Sequence, residues 1–278
     1  EVTLLPAGGS RLTVALHATP IREADGGIAS AIAAFQDVTP LKQARELAEL
    51  RARLREQFVA ILGHDLRSPL AAITAGAHML LRRGLDASQA RVVDRIVASA
   101  ERTERMIRDL LDLTQSRLGG GIPVTPTTID MRAIGRGVVE EYAAAHPDVE
   151  IRLEARGNTW GEWDADRIAQ VISNLLGNAI SYGRRGGAVH VRVEEDAAND
   201  GVSIEVHNEG PAIPDDVRPV LFDPFQRGRD GASSARGLGL GLYIANQLVL
   251  AHGGRIDVRS SAAEGTSFTV RLPRQQRK

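Results

Sequence analysis

Phe58-Val-Ala-Ile-Leu-Gly-His64-Asp65-Leu-Arg67-Ser68-Pro69-Leu70 sets one histidine beside a carboxylate in an apolar, helix-forming run. A neutral imidazole nitrogen is a nucleophile, and an adjacent carboxylate is placed to orient the ring and take the proton from its other nitrogen. A lone histidine is ordinarily a solvated helix-face side chain. His78, two heptads on and beside Met79-Leu80-Leu81, has no following acid and reads as structural. His64 differs by what comes later in the chain. An asparagine-bearing helix at Asp164–Ser181 is followed by a Gly-rich turn at Asn208–Pro214 and a second at Gly237–Leu242.

Working outward, residues 41–83 read as one long helix, with Leu47, Leu50, Leu54 and Ile61 at the approximate 3-4 spacing of a helix-pair seam. Pro69 removes a backbone donor and is expected to bend or loosen it just after His64. Gly84-Leu85-Asp86 makes a turn, and Asp86 or Ser88 caps a second helix running to about Arg117. Its apolar side carries Val93, Ile96, Val97, Ala100, Ile107, Leu110, Leu111 and Leu118. That stripe is too wide for one antiparallel hairpin to cover, so a homodimeric four-helix bundle is expected. Gly119-Gly120-Gly121 reads as a hinge.

Residues 1–38 read as strands: Arg11–Thr19, a turn at Asp25-Gly26-Gly27, and Ile28–Asp37. Two or three strands of this size cannot bury a core of their own. Beyond the hinge, strands and helices mix. Strands are expected near Pro123–Ile129, Glu150–Ala155, Asn158–Trp163, Val189–Glu195, Ser203–His207, Arg255–Ser260 and Gly265–Leu272. Helices are expected at Met131–Ala145, Ala165–Ser181 and Leu238–His252, giving an α/β layer domain.

Composition narrows the chemistry. The net charge of −1 gives no reason to expect nucleic acid or an anionic membrane as a partner. No run of 18 apolar residues exists, so no membrane segment is expected. The absence of cysteine removes disulfides, thiolate metal sites and thiol catalysis, and fits a cytoplasmic protein. Glu1 in place of methionine is expected of a piece of a longer protein. Lys42 and Lys278 are the only lysines, and no Gly-x-x-x-x-Gly-Lys-Ser/Thr string exists. A nucleotide site here must therefore hold phosphates with backbone N–H groups, arginines and a metal ion.

These segments, in this order, resemble the sensor histidine kinases of two-component signalling over roughly residues 41–272. The resemblance implies a short N-terminal β segment (1–40) like the last strands of a PAS sensor domain, ending in Asp37-Val38-Thr39. It implies a dimerisation and phosphotransfer hairpin (41–118), a linker (119–128), and an α/β sandwich ATP-binding domain of GHKL/Bergerat type (129–278). His64 would accept the γ-phosphoryl group of ATP, assisted by Asp65. Ser68 stands where the family carries the Thr or Asn that orients water for phosphatase activity.

The same resemblance assigns the nucleotide site. Asn174 and Asn178 are four apart on one helix face. Asn178 would ligate Mg²⁺, and Asn174 stands where related ATPases carry a general-base glutamate. Tyr182 follows Ser181, where the family has a lysine, and Arg184 or Arg185 is the candidate replacement. In the turn, Asn208 takes the place of the aspartate that accepts from the adenine amino group, followed by Gly210, Ala212 (a glycine in the family) and Ile213. Phe222 and Phe225 are expected to pack and anchor a lid, and Arg227 to reach phosphate. Gly237, Gly239, Leu240, Gly241 and Leu242 would bring backbone N–H groups to an anion at a helix N-terminus. Thr266 would sit by the adenine.

The expected activity is thus an ATP-dependent, homodimeric protein-histidine kinase that passes phosphate to an aspartate of a separate response-regulator receiver domain. The alternatives are a GHKL-type ATPase and a degenerate kinase serving as a dimeric scaffold.

Overall fold

The computed structural model describes residues 2–4, 12–22, 28–43, 66, 68–117, 121–197, 199–226 and 238–275. Contacts divide the chain into two compact units, Glu1–Ile61 and Leu62–Lys278.

The first unit is an antiparallel sheet in the order β1 (Val2–Leu4), β2 (Leu12–Arg22), β3 (Ile28–Asp37). Leu16 faces Phe35 and Thr19 faces Ile32 across the β2–β3 pair. At the end of β3 the Asp37 carboxylate accepts the Thr39 N–H at 2.9 Å, and Thr39 Oγ1 accepts the Thr13 N–H at 2.7 Å. A helix then begins over residues 39–43, so the turn out of the sheet is also the helix start.

In the second unit, helix α1 covers residues 68–81 and α2 runs Ala87–Arg117. Pro69 lies in the described part of α1, and residue 66 before it is helical as well. Gly84 turns the chain with φ 73°. Asp86 then caps α2. Its Oδ1 accepts the N–H groups of Ser88 (2.8 Å) and Gln89 (2.9 Å), and Gln89 Oε1 accepts the Asp86 N–H in return. This reciprocal box fixes the start of α2. Ala77, Val93 and Ala100 are buried, whereas Ile73, Val92, Ile96 and Leu110 remain exposed. Leu70 and Ile73 of α1 line one shallow groove with Val92, Ile96 and Ala100 of α2.

The remainder is a three-helix layer on a five-stranded sheet. The strands are β5 (Ile151–Arg156), β7 (Val189–Asp196), β8 (Gly201–Asn208), β9 (Arg255–Ser261) and β10 (Gly265–Pro273), in the order β5-β7-β8-β10-β9. A short pair, β4 (Thr127–Asp130) and β6 (Trp160–Trp163), stands beside it. The helices are α3 (Met131–Ala145), α4 (Ala165–Tyr182) and α5 (Gly241–Ala251). β5 and β7 are parallel, so a crossover must join them, and α4 lies in that connection. Strand alternation is strict. Val191, Val206 and Phe268 form one buried cross-strand row, and Val193, Ile204 and Val270 the next. The opposite face is polar, with Arg192–Glu205 at 2.6 Å and Arg271–Asp257 at 3.2 Å. Helix α4 answers the buried rows with Ile168, Val171, Ile172, Leu175 and Leu176, all fully buried at helical spacing. Each such side chain contributes about 1.5–3 kcal/mol of burial.

Three of the expected boundaries that move do so for a local reason. The strand expected from Pro123 begins at Thr127, because Pro123 and Pro126 lack the N–H a ladder needs. The strand expected from Asn158 begins at Trp160. Gly157 has φ 74° and Asn158 Oδ1 accepts the Trp160 N–H, which makes a side-chain-closed turn. The helix expected from Leu238 begins at Gly241, because Gly239 sits at φ 72°, outside helical space.

His252, the C-cap of α5, is fully buried. Its Nε2 accepts the Asp164 N–H at 3.1 Å, so Nδ1 carries the proton and donates to the Leu248 carbonyl at 2.8 Å. Asp164 in turn caps α4 and accepts the Thr125 N–H. Burial lowers the His252 pKa from its ordinary 6.5. The unfolded chain then binds more protons than the native one as pH falls below 6.5. The His252 contribution is therefore complete above that pH and is lost as pH falls through it. Asp109 acts in the opposite sense, because burial and then the Asp112 charge push it up to about 6. The comparison that isolates His252 is urea unfolding of wild type and His252→Gln at about pH 7.5 and 5.5. The variant is expected to lose less stability between the two; an equal loss contradicts the assignment.

Candidate nucleotide site

The polar site grows out of the end of the buried rows. In register, Asn208 of β8 lies opposite Thr266 of β10, one inward-facing step beyond the Val206–Phe268 row. Both are buried, at 5% and 7% exposure. A layer of apolar side chains thus ends in a carboxamide and a hydroxyl. Glycines let the surrounding backbone close on them. Gly265 has φ 77°, and a Cβ there would lie 2.3 Å from the Asn208 carbonyl. At Gly210 a Cβ would lie 2.8 Å from the Tyr182 carbonyl. Asn208 Nδ2 donates to the Glu209 carbonyl at 3.3 Å. Ile213 is held by its N–H on Ser260 Oγ at 2.9 Å, and Ala212 beside it is half-buried.

The second half of the site is the face between α4 and the start of α5. Asn174 and Asn178 are both half-buried on α4. Among the described residues, Asn174 Nδ2 is buried and has no hydrogen-bond partner. Its Oδ1 lies 3.5 Å from where a Cβ on Gly241 would be, so the glycine lets the first turn of α5 approach the amide. Among the described residues no side chain caps α5. Helix geometry leaves its first N–H groups without an intrahelical acceptor, as at a helix start that can receive an anion. A buried amide donor without a partner costs about 1–3 kcal/mol, and a phosphate oxygen would supply the missing acceptor. Asn178, one turn along, offers an oxygen suited to a hard divalent cation. These residues fit Mg²⁺–ATP on that donor and acceptor chemistry.

The other expected site residues fall as follows. Leu240 is 1% exposed and belongs to the core, so only its main chain is left to face a ligand. Leu242 is half-buried against the same core. Phe222 packs on the core as expected, but Phe225 does not: it is 55% exposed, at φ 66°. It acts through its backbone, donating its N–H to the Gly239 carbonyl at 2.9 Å. A Cβ on Gly239 would lie 2.6 Å from the Gln226 carbonyl, so this clamp requires glycine. Tyr182 is half-exposed at the end of α4. Arg184 pairs with Glu209 at 2.7 Å on the surface, which occupies one of the two candidate lysine replacements. Ser68 and His78 are exposed on α1. His64, Asp65, Arg67, Arg227 and Gly237 lie outside the described residues.

Two features had no signal in the sequence. Asp112 of α2, 2% exposed, accepts from Arg167 Nη1 at 2.9 Å and Gln170 Nε2 at 2.7 Å, both on α4. Four residues on, the Ser116 hydroxyl meets that of Tyr243 of α5 at 2.8 Å. The end of the hairpin is thus docked on α4 and α5. Asp112 reads in sequence as one more charge on a solvated helix face. The other feature is Ser260, which joins Ile213 to Thr266.

Comparison with known proteins agrees with this geometry. Residues 54–119 match the "His Kinase A (phospho-acceptor) domain" and residues 163–276 match the "Histidine kinase-, DNA gyrase B-, and HSP90-like ATPase" family. A bacteriophytochrome of Pseudomonas aeruginosa is 34% identical over 261 residues, 94% of this chain and 35% of that protein. The probable sensor histidine kinase TcrY of Mycobacterium tuberculosis is 35% identical over 252 residues, 89% of this chain and 51% of that one. Among solved structures, full-length ShkA in complex with AMPPNP superposes with a TM-score of 0.61 at 27% identity, covering 78% of this chain and 45% of that one. The chain belongs to the two-component sensor histidine kinases. It spans about a third of the first relative's length and half of the second's.

Proposed function

We propose that this chain is the kinase core of a sensor protein, using ATP to phosphorylate His64 and passing the phosphoryl group to an aspartate of a separate response regulator. The observation that carries this reading is the partnerless Asn174 amide at the uncapped start of α5, in a chain whose phosphoacceptor-domain match includes His64.

In this reading the first-turn N–H groups of α5 and the Asn174 amide hold the triphosphate, and Asn208 and Thr266 receive the adenine. A ring nitrogen of His64 attacks the γ-phosphorus. The bond from that phosphorus to the β–γ bridging oxygen breaks, and ADP leaves. Asp65 takes the proton from the other ring nitrogen. Asn174 is an amide and cannot deprotonate water, so the γ-phosphoryl group is spared for the imidazole. Mg²⁺ held by Asn178 would offset phosphate charge.

The domain limits proposed are a PAS-like end at 1–40, the phosphotransfer hairpin at 41–118, a linker at 119–128 and the catalytic domain at 129–278. The apolar strip through Ile73, Val92, Ile96 and Leu110 supports a homodimer, since pairing two hairpins covers it. Among the described residues no helix is long and apolar enough to cross a membrane, and a cytoplasmic site of action is proposed for this portion.

The test is incubation with γ-labelled ATP and Mg²⁺. Label on the protein that survives alkali and is lost in acid is expected. Free labelled phosphate without labelled protein means an ATPase instead, and neither product means a scaffold.

A further inference from the structure

The base end of the site contains a hydrogen-bond chain that spans three segments. Ser260 of β9 and Thr266 of β10 are cross-strand partners, with their hydroxyls 2.7 Å apart. Ser260 Oγ also accepts the Ile213 N–H at 2.9 Å, and Arg218 Nη2 holds the Ser260 carbonyl at 2.6 Å. A backbone N–H can only donate. Ser260 therefore accepts from Ile213, and with its second lone pair it could also accept from Thr266, so either hydroxyl can donate in the 2.7 Å bond. Where Ser260 donates its own proton to Thr266 Oγ1, Thr266 keeps its proton for a group outside the protein.

Across the β8–β10 register, Asn208 is oriented the other way. One of its two Nδ2 protons goes to the Glu209 carbonyl, and its Oδ1 can only accept. The two side chains thus offer a donor beside an acceptor. Adenine's outer edge is the complement, with N1 accepting and the 6-amino group donating. Guanine presents the reverse, with N1–H donating and O6 accepting.

We propose that Ser260 is a positioning residue that fixes the Thr266 hydroxyl as a donor, and so makes the base end of the site select adenine over guanine. This rests on the ATP reading above.

The test compares binding of ATP, 1-deaza-ATP (a C–H in place of N1) and GTP to wild type, Ser260→Ala, Ser260→Thr and Thr266→Val. Wild type is expected to bind 1-deaza-ATP about 3- to 10-fold more weakly than ATP, the span of one net hydrogen bond. Ser260→Ala removes that difference and narrows the gap between ATP and GTP, whereas Ser260→Thr keeps both. A Ser260→Ala protein with the wild-type 1-deaza penalty overturns the proposal, as does a wild type that binds ATP with no such penalty; either leaves the ATP reading standing. Should Ser260→Ala not fold, Thr266→Val decides, since a retained penalty there also overturns it. Failure of wild type to bind ATP at millimolar Mg²⁺ sinks the ATP reading itself.

Discussion

Asn174→Leu is expected to melt at a higher temperature than wild type and to label itself from ATP far more slowly. The two effects have one cause. Asn174 Nδ2 is buried without an acceptor, so the folded protein carries a desolvated donor. Leucine has nearly the shape of asparagine and no donor, and it would extend the apolar set made by Val171, Ile172, Leu175 and Leu176. Relieving an unsatisfied buried group is worth about 1 kcal/mol or more, which in a unit of this size raises Tm by roughly 2–4 °C. The same change removes the amide proposed to hold the phosphates, and loss of one such donor is expected to lower turnover about 100- to 1,000-fold. Stability and activity then move in opposite directions, as expected where a site holds strain for its ligand. Scanning calorimetry and label incorporation on the same preparation check both. A variant that melts lower than wild type would show that the amide serves the fold, and the phosphate-site reading of α4 would lose its support.

Asp112→Ala is expected to undock the end of α2 from α4. Asp112 accepts from both Arg167 and Gln170, and Arg167 also donates to Gln170 Oε1 at 3.0 Å, closing a three-sided network. Arg167 keeps 23% of its side chain in water and Asp112 only 2%, so the pair is largely, though not wholly, desolvated. Truncating one member of a fully buried pair costs about 3–5 kcal/mol, and water at Arg167 reduces this to about 2–3 kcal/mol. Hydrogen exchange reads the result: amides of the last turns of α2 lose protection, while the α4 core around Leu175 keeps it. Asp112→Asn, which keeps an acceptor and loses the charge, falls between the two. Unchanged protection in Asp112→Ala would mean that Ser116–Tyr243 and apolar contact hold the docking alone. The network also bears on Asp109, whose raised pKa depends in part on the Asp112 charge and moves back toward the ordinary carboxylate range in the variant.

The catalytic layer was legible because its signals are local. Asp130 and Asp164 precede apolar runs at helical spacing, and each caps its helix through its side chain. Asp86 and Gln89 announce α2 in the same way. Strict alternation in Val189–Val193 and Phe268–Leu272 gives both the strands and their buried face. Asn174, Asn178, Asn208 and Thr266 were singled out by the order of their segments along the chain, and the structure sets Asn208 and Thr266 opposite each other in register. What escaped depends on partners far away in sequence. Asp112 is defined by Arg167, 55 residues on, and His252 by Asp164, 88 residues back. Ser260 looks like any strand-end serine until Ile213, 47 residues earlier, is brought to it. Phe225 was misread as a packing residue because its role lies in its backbone, at a positive φ that a side-chain pattern does not encode.

The central claim is that one imidazole receives the γ-phosphoryl group, and substitution of two histidines tests it most directly. With γ-labelled ATP and Mg²⁺, wild type and His78→Gln are expected to gain acid-labile label to the same extent, and His64→Gln to gain none. Label that persists in His64→Gln, or that vanishes in His78→Gln, would contradict the account.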